Sequence, residues 1–97
     1  MNTHELLKQA EEVQRKMQDE REVTFVEASV GGGMVSVTMD GNRHLREVHI
    51  EPEAADPDDP GMLEDLLVAA VNSASAKMDQ ALREKLGQVL TEMPSIF

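Results

Sequence analysis

The chain has 97 residues, no cysteine, two phenylalanines and no other aromatic, and nine basic side chains against nineteen acidic ones, for a formal net charge of −10. That length fits one domain, 1–97, the lack of cysteine excludes disulfides and thiolate metal sites, and no apolar run approaches the ~20 residues that span a bilayer. An acid excess of this size also opposes non-specific nucleic-acid binding, which rests on lysine and arginine contacts to phosphate.

Met1 to Glu5 lacks the basic flank and apolar core of a signal peptide, so a cytosolic protein is expected. From Thr3 to about Arg21, Leu6, Ala10, Val13 and Met17 recur by four, three and four residues, and Leu7 widens the stripe. This predicts an amphipathic helix with Thr3 as its N-cap. Lys8, Arg15, Lys16 and Arg21 are interleaved with Glu11, Glu12, Asp19 and Glu20. Glu11–Arg15 and Glu12–Lys16 have the favourable i,i+4 orientation. These charges read either as a solvated face stitched by weak pairs or as cations that contact phosphate or a partner protein.

Three strands follow. Glu22 to Val30 is β-branched and partly alternating. Met34 to Asp40 places Val35, Val37 and Met39 on one face, and Leu45 to Glu51 turns Val48 and Ile50 inward. Gly31-Gly32-Gly33 and Asp40-Gly41-Asn42 are the hairpin signals between them. The triple glycine lacks the Gly-Lys-Ser/Thr ending of a phosphate loop and precedes a strand. An antiparallel meander with one buried face is expected.

Residues 51–61, rich in proline and acid, predict a loop or at most one helical turn. Asp59-Pro60 fits an N-cap with proline at the first helical position. From Met62 to Met93, Leu63, Leu67, Ala70, Ala74, Met78, Leu82, Leu86, Val89 and Met93 step by three or four. Such a helix reaches roughly 45 Å at ~1.5 Å per residue. A three-stranded sheet covers about half of that. Leu67 and Ala70 are therefore expected on the chain's own sheet. Leu82, Leu86, Val89, Leu90 and Met93 are expected against a second copy, making the protein a homodimer.

His4, His44 and His49 have no metal-ligand spacing. Glu47 beside His49 offers a carboxylate–imidazole pair without a nucleophile. Asp56, Asp58 and Asp59 lack the calcium-loop register. No catalytic residue, metal or cofactor is expected, and the chain does not read as an enzyme.

The order of these parts resembles the YbaB/EbfC family of bacterial nucleoid-associated proteins nearly end to end. Leu7-Lys8-Gln9-Ala10 and Val13-Gln14-Arg15-Lys16-Met17-Gln18 are similar to its first helix. Gly32-Gly33-Met34-Val35-Ser36-Val37-Thr38-Met39-Asp40-Gly41 resembles its hairpin, and Val48-His49-Ile50-Glu51-Pro52 its third strand and exit. Met62-Leu63-Glu64-Asp65-Leu66 through Ala70, Asn72 and Ala74 is similar to its last helix, and Met93-Pro94 and Phe97 to its end. The resemblance implies an α+β fold, α-β-β-β-α, and a homodimer whose helical arms project like tweezers. It also implies binding to double-stranded DNA in the nucleoid with little sequence preference. Lys8, Arg15 and Lys16 on the first helix and Lys77, Arg83 and Lys85 on the last are the matching cations. Set against the net charge of −10, such binding is expected to be weak and salt-dependent. The competing reading is an acidic dimeric adaptor that holds an unidentified protein partner on exposed helical stripes.

Overall fold

The structure is a computed structural model that describes residues 2–93. Its elements run α1 (Thr3–Val23), β1 (Phe25–Val30), β2 (Val35–Asp40), β3 (Leu45–Ile50) and α2 (Pro60–Glu92). The strands form one antiparallel sheet in the order β1-β2-β3. This is the α+β, α-β-β-β-α arrangement that the sequence pattern predicts.

The first helix differs from expectation at both ends. Its N-cap is Asn2, one residue before Thr3, with the side-chain oxygen accepting the Glu5 N–H at 2.8 Å. Asparagine's short carbonyl makes it a strong N-cap, which leaves Thr3 free to enter the helix. The helix then runs to Val23, so Glu22 and Val23 are helical and not part of the first strand. Two bonds satisfy carbonyls that a helix end leaves open. The Thr24 hydroxyl donates to the Glu20 carbonyl at 2.5 Å, and the Gly41 N–H donates to that of Arg21 at 3.1 Å.

Gly31, Gly32 and Gly33 all have positive φ, at 62°, 67° and 95°. This left-handed run reverses the chain between β1 and β2, where a Cβ would be strained. In β2, Val35, Val37 and Met39 are buried beneath α2, with Val26, Ala28 and Val30 of β1 opposite them. The register puts Ile50, Val48 and Leu45 of β3 on the same face, across from Val35, Val37 and Met39. They are nevertheless 36%, 47% and 42% exposed. Val48 and Ile50 thus point to the expected face, but α2 lies over β1 and β2 and leaves β3 bare.

The linker makes one short turn, Pro52–Ala54, and Asp59 caps α2 by accepting the Met62 N–H at 3.3 Å. Ala70 and Ala74 are fully buried on the sheet with Met78, and Leu67 packs at the edge of the same cluster. The small alanine side chains allow close approach, while flexible Met78 fills the remaining space. Beyond Leu82 the helix leaves the sheet. There Val89 and Met93 pack against Val13 and Met17 of α1 in a second, separate cluster. Because α1 joins the sheet where α2 departs from it, the two helices run antiparallel and form an arm. The molecule measures 65 × 18 × 17 Å.

Candidate functional site

The structure divides the six cations that the sequence singles out, five on the arm and Lys77 over the sheet. Lys16 pairs with Glu12 at 3.6 Å, and Lys85 on α2 reaches Glu20 on α1 at 3.7 Å. Lys77 donates from Nζ to the Glu27 carbonyl at 2.8 Å, so it ties α2 to β1. The side chains of Lys8, Arg15 and Arg83 are exposed and make no hydrogen bond or ion pair to another described residue. The expected Glu11–Arg15 pair does not form among the described residues.

Two further cations escaped sequence reasoning: Arg43 and Arg46. Arg43 is the more consequential. It follows the Asp40-Gly41-Asn42 turn and has φ 66°, the one positive value among described residues other than glycine. Non-glycine residues seldom adopt this conformation. Its guanidinium donates to the Ser75 hydroxyl at 3.0 Å and the Ser75 carbonyl at 3.4 Å, and it pairs with Asp79. The turn was readable from Asp40-Gly41. The clamp was not, because its partners on α2 lie 32 and 36 residues away.

Asp40 organises the same turn. Its Oδ1 accepts the N–H groups of Asn42 at 2.9 Å and His44 at 3.0 Å, and Arg46 stands 3.6 Å from Oδ2. The His44 N–H is the chief reason that this carboxyl is held below the usual carboxylate range. Its burial opposes that shift, while the Asn42 N–H and the charges of His44 and Arg46 reinforce it.

Arg43, Asp79, Leu82, Arg83 and Leu86 join Met17 of α1 around a shallow cavity of about 280 Å³ at the base of the arm. Of the residues expected at a dimer interface, Val89 and Met93 are buried inside the chain against α1. The sequence indicated an unsatisfied stripe on α2 but not that α1 folds back to cover it. Leu82, Leu86 and Leu90 stay partly open to solvent.

His49 pairs with Glu51 at 3.0 Å, not with Glu47. No group of His, Asp and Glu able to hold a metal occurs among the described residues, and no helix there is long and apolar enough to cross a membrane.

Fold and surface together define an α-β-β-β-α protein whose distinguishing chemistry is a charged two-helix arm on a small sheet. The model of the YbaB/EbfC DNA-binding family matches residues 1–93, and the chain belongs to that family. A nucleoid-associated protein of Chloroflexus aurantiacus is 39% identical over 100 residues, covering the whole of both chains. One from Acetivibrio thermocellus is 41% identical over 102 residues, covering 99% of this chain and 90% of its own. Among solved structures, an uncharacterized protein from Helicobacter pylori shares the fold with a TM-score of 0.73 at 19% identity, covering 93% of this chain and 98% of that one.

Proposed function

We propose that this chain is a nucleoid-associated protein that binds duplex DNA as a homodimer, through backbone contacts with little sequence preference. The observation that carries the reading is family membership across residues 1–93, together with Lys8, Arg15 and Arg83 standing unpaired on the arm. Phosphate contacts position a protein on DNA without reporting base identity. Lys16, Lys77 and Lys85 contribute less, because each must first leave an intramolecular partner. Two copies carry twice −10, or −20, so the field of the whole dimer opposes DNA and binding is weak and salt-dependent.

The homodimer follows from uncovered apolar surface. Leu45, Val48 and Ile50 line an edge strand on the part of the sheet face that α2 leaves bare. In this reading a second copy covers them. Val89 and Met93 fall outside that contact, since α1 already occupies them.

The adaptor reading needs Leu86, Val89 and Met93 displayed on the arm, and two of these three are buried. The test is titration of the intact protein with duplex DNA at two salt concentrations. Binding that weakens steeply with salt supports the DNA reading. No binding at low salt, alongside stoichiometric capture of one defined protein, replaces it with the adaptor.

A further inference from the structure

We propose that the cavity at the base of the arm seats the sugar–phosphate backbone of duplex DNA, with Arg43 and Arg83 as its phosphate donors. This rests on the DNA-binding reading and assigns it a particular site.

Four observations converge. First, two guanidinium groups line one concavity of about 280 Å³ on a chain of net charge −10, with Asp79 as its single carboxylate. Arg43 already engages Asp79, so Arg83 has no counter-charge there.

Second, Arg43 is held in place before any ligand arrives. Ser75 and Asp79 fix its guanidinium, and an arginine has five N–H donors, so some remain for an anion. Ordering a long side chain in advance removes an entropy cost from binding.

Third, Arg43 occupies left-handed backbone, where glycine or asparagine is easier to place. Backbone outliers of this kind persist where surrounding structure holds them, and they cluster at ligand sites.

Fourth, the floor is apolar: Met17, Leu82 and Leu86. A deoxyribose ring presents C–H groups to such a floor while its phosphate reaches the rim.

The test uses the intact protein, a mixed-sequence duplex of about 25 base pairs, and fluorescence anisotropy at several salt concentrations. Arg83→Gln removes the charge and breaks no side-chain hydrogen bond or ion pair, so folding is unaffected. It should weaken binding several-fold. It should also flatten the log–log salt dependence by about 1 if one arm engages and about 2 if both do, at ~0.9 per phosphate. Asp79→Asn removes the carboxylate while Arg43 keeps its Ser75 contacts, and it should tighten binding several-fold. Asp65→Asn removes the same charge away from the cavity, and the gain from Asp79→Asn should exceed it; equal gains would mean that net charge alone is at work. Wild-type affinity in both cavity variants, with the wild type itself binding, overturns this site and leaves the DNA reading intact. A wild type that does not bind at low salt overturns both. If a blocked Asp-Leu-Leu-Asp peptide, and not duplex, moves the methyl resonances of Leu82 and Leu86, the cavity accepts a protein segment and the proposal is wrong.

Discussion

The N–H of Gly41 donates to the carbonyl of Arg21 at 3.1 Å, joining the β2–β3 turn to the last turn of α1. The two backbones lie so close that a Cβ on Gly41 would run into the backbone of Arg21. Since the arm grows from α1, this contact helps set the arm's direction relative to the sheet.

Gly41→Ala should therefore destabilise the protein by ~1–3 kcal/mol, the usual range for overpacking a tight contact. Urea unfolding should show a lower midpoint with an unchanged slope. An unchanged midpoint would mean that the turn and helix separate without cost.

The triple-glycine turn offers a cleaner conformational test. Gly32 has φ 67° and open space where a side chain would go. Gly32→Val should cost ~1–2 kcal/mol through backbone conformation alone. Gly31→Ala should cost more, because its Cβ would also lie 2.8 Å from Leu66 Cδ2. Thermal melts of the two variants should rank in that order. DNA binding should fall only as far as folding does.

What could be read in advance was local. Alternation at Val35, Val37 and Met39 marked the buried face of β2, and Asp59-Pro60 marked the start of α2. Both signals lie within a few residues of the features they specify. Which apolar stripe meets which is a tertiary choice, so the stripe on α2 could be seen while its cover by Val13 and Met17 could not. The same limit hid Arg43, whose clamp joins residues far apart in sequence. The start of β1 was misplaced because Val23 and Thr24 favour strand by composition, while in the fold Val23 ends α1 and Thr24 caps it.

Asp40 gives a pH dependence with a definite sign. Its folded carboxyl titrates below the ordinary 3.8, chiefly because the His44 N–H favours the charged form. A depressed folded pKa contributes stability that is present above the unfolded value and is lost as pH falls through the folded one. Asp40→Asn should thus be less stable than wild type at neutral pH, and the gap should close below about pH 4. Equal stability of the two at pH 7 would contradict the role assigned to this carboxylate.

Val48→Asp should separate the dimer from the fold. The side chain is exposed within the chain, so the monomer should remain folded and sediment at 10.7 kDa. Val89→Asp should act differently, because it strikes the α1–α2 cluster and should loosen the arm. If Val48→Asp sediments as wild type, the second copy does not cover β3.

The central claim is that the protein holds DNA through phosphate contacts on an acidic body, and the salt dependence of wild-type binding to duplex tests it most directly. Two to six phosphate contacts predict a log–log slope of roughly −2 to −5, with affinity nearly independent of sequence. Absence of binding at low salt, or a slope near zero, would contradict it.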